Sequence, residues 1–365
     1  MKNKGGWLLI VAGIVVFVVL ISVILFAGRI KTTETPKIGF IMSGSKEEQG
    51  WNGLHYQGIK EACEKFGAKL LVRENILEFT GQCEHAIHEL VEEGANMIIL
   101  SSYGYPQEVI DVIKEYPEVS FYANSSEYHE ANLTSYFVRL YQARYLAGIV
   151  AGHQSKSGKI GYVAAMSNNE VNRGISAFTL GVRRVNPEAV VTVHWTGSWE
   201  DEEKEREAAR NLMEKTGVDF ITYHQNQPFV IEETEKKKID SIGFLVDLEN
   251  ISSHYLTSII CNWELVYEEV LRQFLQGQGN SIRNFWIGII QGAVDLSAFS
   301  NAITEEAVKE VEIAKEEIIA GKGVFSGVIY DNQGIQRCGE NEIISDEMLL
   351  EHFDWYVEGV ELYEE

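Results

Sequence analysis

The sequence predicts an α/β protein of two similar lobes with parallel sheets, preceded by an N-terminal transmembrane helix. Three observations predict it: an uncharged apolar run at the start, short apolar segments alternating with helix-periodic ones, and a restart of that alternation further along the chain. With 365 residues, 45% hydrophobic and 23% charged, the chain has the length and composition for two packed lobes.

Between Gly5 and Gly28 no side chain is charged, and 7–27 reads WLLIVAGIVVFVVLISVILFA. That is close to the ~20 apolar residues a helix needs to cross a bilayer core. A cleavable signal would have a shorter apolar stretch and a small-x-small cleavage site, whereas Leu25 and Ala27 flank Phe26 here. Residues 1–31 are therefore read as an uncleaved anchor, with a cleaved signal peptide as the alternative. Lys2 and Lys4 on one side are matched by Arg29 and Lys31 on the other, so charge does not orient it.

After a linker at 32–36, a strand at 37–42 (KIGFIM) leads to a helix at 51–66, in which Leu54, Ile59, Ala62 and Phe66 recur with helical spacing. A strand at 69–72, a helix at 82–93, a strand at 97–101, a helix at 106–115 and a strand at 119–123 follow. This alternation builds βαβ units and a parallel sheet covered on both faces. It restarts with a helix at 141–154 and a strand at 159–164 (KIGYVA), then a helix at 173–185, a strand at 190–195, a helix at 201–216, a strand at 220–223, a helix at 229–238 and a strand at 241–246. Apolar runs at 256–260 and 287–294, separated by a helix at 263–275, would carry the chain between the lobes. The stretches 304–321 and 346–362 read as helical and acidic. Lobe 1 is assigned 37–137 with 260–294, and lobe 2 is assigned 138–259 with 295–365.

The balance of 31 Lys+Arg against 54 Asp+Glu gives a net charge of −23, a field that repels the phosphates of nucleic acid and tolerates a neutral or cationic small ligand. Cys63, Cys83, Cys261 and Cys338 are widely spaced with no C-x-x-C pair, so buried free thiols are expected, a single disulfide being the alternative. Enzyme motifs fail. HAIHE at 85–89 lacks the i, i+4 histidines of a zinc peptidase, and GHQSKSGK at 152–159 runs from helix into strand and is followed by Ile160 rather than Ser or Thr. No G-x-S-x-G elbow occurs either. The chain is read as a binding protein without catalytic residues, metal or cofactor.

Ligands of open α/β sheets sit outside the carboxyl ends of the strands. That rule selects loops 43–52, 101–106, 124–127, 166–173, 197–201, 224–229 and 247–250, which hold Trp51, Tyr103, Tyr105, Trp199 and Asn226; Trp263 opens a later helix. Two aromatic rings can sandwich a flat heterocycle, each stack contributing ~1–3 kcal/mol, and an amide can pair with an adenine edge. Trp51 and Asn226 suit that division, although loop aromatics also pack lobe edges. Glu170 and Arg173 could touch ligand, latch the lobes, or form an ordinary helix-terminal pair. Asp247 could accept a ligand hydrogen bond or cap a turn.

These segments resemble the basic membrane protein family of solute-binding proteins that serve ABC importers for nucleosides and purines. The resemblance rests on KIGFIMSG with EEQGWN, SSYGY, EYPEVSF, YQARYLAGIVAG with SKSGKIGYVA, NNEVNRGISAFTLGVRRVNP, WTGSWED, LTSII with NW, and FSGVIYDNQG at 325–334, spanning about 37–360. GWN, SYGY and EVNRG are most similar to the branch that captures free purine bases, adenine among them. The resemblance implies a type I periplasmic-binding-protein fold: two Rossmann-like lobes joined by a hinge with three crossings. It also implies a monomer on the extracytoplasmic face and delivery to a permease. By similarity Trp51 is the stacking aromatic, Tyr103 and Tyr105 wall residues, Glu170 and Arg173 cleft residues, Trp199 a second aromatic and Asn226 the base reader. Asn124 stands where nucleoside-binding members carry Asp, and Cys261 falls near their ribose-binding Lys, which puts ribose recognition in doubt. No Cys precedes Cys63, so a membrane anchor would replace the usual lipid tether. The implied mechanism is capture on one lobe followed by hinge closure. A membrane-anchored sensor or a sugar-binding protein of the same fold are the alternatives.

Overall fold

The first series forms β1 (Lys37–Ile41), α1 (Trp51–Phe66), β2 (Lys69–Arg73), α2 (Gln82–Glu92), β3 (Met97–Leu100), α3 (Tyr105–Glu115), β4 (Ser120–Asn124) and β5 (Leu133–Val138). The second runs α4 (Leu140–Gln154), β6 (Lys159–Ala164), α5 (Asn169–Val185), β7 (Val190–Trp195), α6 (Glu202–Asn211), β8 (Phe220–His224), α7 (Phe229–Lys237), β9 (Asp240–Phe244) and β10 (Tyr255–Cys261). The chain closes with α8 (Trp263–Gln273), β11 (Asn284–Ile287), β12 (Val294–Leu296), α9 (Glu305–Ile319), β13 (Ile329–Tyr330), β14 (Gln336–Cys338), α10 (Asp346–Glu351) and β15 (Val360–Leu362). The structure is a computed structural model that describes residues 35–248 and 251–364. The expected membrane segment, 1–31, lies outside them, and among the described residues no helix is long and apolar enough to cross a membrane.

The strands make two large sheets. The first has the order β11-β5-β4-β3-β1-β2, parallel throughout. The second has the order β12-β10-β9-β8-β6-β7-β15 and is parallel except for the edge strand β12. Inner strands such as β3 (MIIL) and β8 (FITYH) are buried at every residue, as expected of a sheet covered on both faces. The chain passes between the sheets after β5, after β10 and after β11. On the first sheet α8 packs against α1. On the second, α4 and α5 touch backbone to backbone: a Cβ on Gly148 would lie 2.0 Å from the Phe178 carbonyl oxygen, and one on Gly181 2.0 Å from that of Tyr145.

Three segments take forms that the sequence pattern leaves open or misjudges. β5 (LTSYFV) was not legible as a strand because half of its side chains are polar or amphipathic, yet all six residues are buried. Its polar groups find internal partners: Thr134 Oγ1 donates to the Ile282 carbonyl, and Tyr136 shares a 3.0 Å hydroxyl contact with Tyr267. The apolar run 287–294 is not one strand but the end of β11 in the first sheet and the start of β12 in the second, separated by a tight turn at Ile289–Gln291. The acidic stretch 346–362 is helical only to Glu351. Beyond it Phe353, Trp355 and Val357 are buried at alternate positions, the period of extended chain, and β15 then joins the edge of the second sheet. The four cysteines are free thiols, and burial pushes those of Cys63 and Cys261 up to about 12.

Candidate functional site

Loops at the carboxyl ends of both sheets meet around one cavity. The first sheet's side supplies Trp51, Ser102, Tyr103 and Asn124; the second supplies Glu170, Trp199, His224, Asn226 and Phe244. Trp51 is the first residue of α1, and its indole N–H donates to the Ser101 carbonyl at 3.0 Å, which fixes the ring plane. Behind it His55 lies 4.1 Å away, centroid to centroid, and Trp263 meets it edge-on at 5.4 Å. Asn124, at the end of β4, donates to the same Ser101 carbonyl at 3.3 Å, and its own buried Oδ1 has no hydrogen-bond partner among the described residues.

The facing wall is set by strand ends and one helix start. Asn168 caps α5 by accepting from the Val171 N–H, which places Glu170 in the first turn. Glu170 is 5% exposed, and the Nε2 of His224 lies 3.6 Å from its Oε1, too far for a hydrogen bond. His224 and Phe244 end β8 and β9 and pack edge to face with centroids 4.6 Å apart; Trp199 lies 6.0 Å from His224. Two groups join the walls. Asn169 Nδ2 donates to Glu127 Oε1 at 2.7 Å while the Tyr103 hydroxyl donates to that same oxygen at 2.8 Å. Burial and this carboxylate push the Tyr103 hydroxyl well above its ordinary range.

Burial holds His224 neutral, with its pKa down to about 4, against the pull of Glu170 and with help from the buried guanidiniums of Arg144 and Arg173. Its ordinary value is 6.5, so between 6.5 and about 4 the unfolded chain binds a proton at this residue that the folded chain does not. This contribution to stability is complete above that interval, falls as the pH drops through it, and is lost below. Thermal melts followed by circular dichroism should show a flatter fall of Tm across the interval in His224→Gln than in the wild type.

The cavity thus brings together Trp51, Tyr103, Asn124, Glu170, Trp199 and Asn226, and four expected residues lie elsewhere. Tyr105 opens α3 with its ring wholly inside the first sheet's outer core and its hydroxyl bound to the Ile76 carbonyl. Arg173 lies one turn deeper than Glu170; it is fully buried, donates to the Leu349 carbonyl and sits 5.0 Å over the Trp286 ring, and burial brings its pKa down to about 10. Asp247 rims a separate groove with Ser252 and Tyr255, because Leu245 takes φ 67° and turns the chain after Phe244. Trp263 is 3% exposed and backs Trp51 instead of lining the cavity. Ser102, His224 and Phe244 were not singled out. The strand-end rule points to Ser102 and His224, whereas Phe244 lies inside the apolar run 241–246, which reads as a strand.

Loops of the two α/β units meet at one cavity between Trp51 and Trp199, the kind of concave site at which small ligands bind. Residues 35–327 match the Bmp family, described as PnrA-like ABC transporter substrate-binding proteins. The chain belongs to that family and is a binding protein, not an enzyme. A purine-binding protein of Brucella abortus is 31% identical over 92% of this chain and 96% of its own. A putative ABC transporter glucose-binding protein of Haloferax volcanii is 27% identical over 90% of this chain and 81% of its own. The fold is also similar to a solved ABC transporter solute-binding protein from Aeropyrum pernix, at 16% identity and a TM-score of 0.68 over 81% of this chain and 93% of that one.

Proposed function

We propose that the chain captures a purine base or nucleoside between its two lobes and presents it to an ABC importer. It would act on the extracytoplasmic face of the membrane, held there by residues 1–31. One observation carries this reading: a single cavity faces Trp51 on one side and Trp199 and Phe244 on the other, with the amides of Asn124 and Asn226 at its edge. Flat rings stack a flat heterocycle, and amides pair with its polar edge. The purine-binding relative, which matches nearly the whole chain, supports the ligand class. The glucose-binding relative makes a sugar the competing ligand. Opening and closing of the lobes about the three crossings would gate the cavity.

Calorimetry on the full-length chain in detergent, with adenine, guanine, adenosine, ribose and glucose, tests this. Heat is expected with the purines and none with ribose or glucose. A titration silent for every purine, or one in which only glucose binds, removes the reading.

A further inference from the structure

Resting on the purine-capture reading, we infer that Glu170 reads two adjacent N–H groups of the ligand, so that the preferred occupant is a 2-amino-6-oxopurine, a base of the guanine type. The argument begins with an incomplete carboxylate. Glu170 is 5% exposed and lines the cavity, its carboxylate makes no side-chain hydrogen bond among the described residues, and His224 Nε2 stands 3.6 Å away. An ionised carboxyl group has two oxygens with about four acceptor sites, and a buried charge is costly unless those sites are filled.

The nearby cations do not fill them. Arg144 and Arg173 are both fully buried and act on Glu170 through space, but their hydrogen bonds go to the backbone carbonyls of Tyr223 and Leu349. The two guanidiniums therefore leave its oxygens open. Among the described residues no Lys or Arg lines the cavity itself. A second acceptor is also waiting there, because the Oδ1 of Asn124 is buried and unpartnered. Glu170 and Asn124 thus ask the ligand for donors, and His224 Nδ1, buried and unpartnered among the described residues as well, offers a further polar contact.

Purines differ in how they meet a forked acceptor. Guanine presents N1–H and the 2-amino group side by side, the spacing that a carboxylate accepts with both oxygens. Hypoxanthine keeps N1–H but has only a C–H at position 2. Adenine places the N1 lone pair next to its 6-amino group, so one oxygen of a carboxylate would face a lone pair. Xanthine separates its two N–H groups by a carbonyl. Phosphorylated nucleotides bring negative charge towards a carboxylate with no lining cation to receive them.

Competition calorimetry on the full-length chain in detergent, wild type and Glu170→Gln, tests this with guanine, hypoxanthine and adenine. Loss of one charge-assisted hydrogen bond should make hypoxanthine bind the wild type about tenfold or more weakly than guanine. The glutamine amide offers one acceptor beside one donor, which matches adenine's edge. Glu170→Gln should therefore lose guanine affinity by a similar factor while adenine binding holds or tightens. A purely structural role for Glu170 would weaken all three bases alike. Equal binding of guanine and hypoxanthine by the wild type, or a uniform loss in the variant, overturns the assignment and leaves purine capture standing. Failure of all three bases to bind the wild type overturns both.

Discussion

Trp51→Ala should weaken purine binding by roughly five- to a hundredfold, since one base-to-ring stack contributes ~1–3 kcal/mol. The ring is already held in place before any ligand arrives: its N–H is bound to the Ser101 carbonyl, and His55 and Trp263 pack behind it. Little ordering cost is therefore added when a base stacks on it. Trp51→Phe keeps a flat face but loses the N–H, and it should recover most of the affinity. Fluorescence or calorimetric titration reads both. Unchanged affinity in Trp51→Ala would mean that ligand does not stack on this residue.

Gly50→Ala should act on closure and not on the ligand. Gly50 precedes α1 on the first lobe, and a Cβ there would fall 1.9 Å from the Asn226 carbonyl oxygen of the second. Backbone meets backbone at this point, so no rotamer change relieves the overlap and the walls must separate. Overpacking of this kind costs about 1–3 kcal/mol, which corresponds to roughly five- to a hundredfold in apparent affinity if binding requires the closed form. The open lobes should remain folded, so Tm without ligand should barely change while ligand-induced stabilisation falls. Small-angle scattering with saturating ligand should show a more open particle than the wild type. A wild-type affinity in this variant would show that closure does not depend on the contact.

Much of the architecture was legible because its causes are local. Runs such as KIGFI and MIIL, each followed by a helix-periodic stretch, announce buried parallel strands, and β1, β3, β6 and β8 form within a residue or two of where pattern places them. The exceptions share a cause. β5 carries Thr134, Ser135 and Tyr136 into the interior, and nothing in LTSYFV reveals that Ile282 and Tyr267 will satisfy them. In SSYGYP two tyrosines stand two residues apart; Tyr103 lines the cavity and Tyr105 fills the core. The difference arises where the backbone enters α3, a direction that composition does not encode. Glu170 and Arg173 share one helix, yet one reaches the cavity and the other is sealed beneath Leu349 and Trp286.

Periodicity, turn chemistry and the position of loops at strand ends were thus enough for the α/β class, the repeated series and the loops that hold most of the cavity residues. Which side chains share that cavity, and why Gly50 must lack a Cβ, depended on how the two sheets meet. Side chains far apart in sequence are brought to one point by three crossings of the chain. The distances that bring the walls together, 2.7 Å from Asn169 to Glu127 and 1.9 Å from a Gly50 Cβ to Asn226, belong to that meeting and to no local segment.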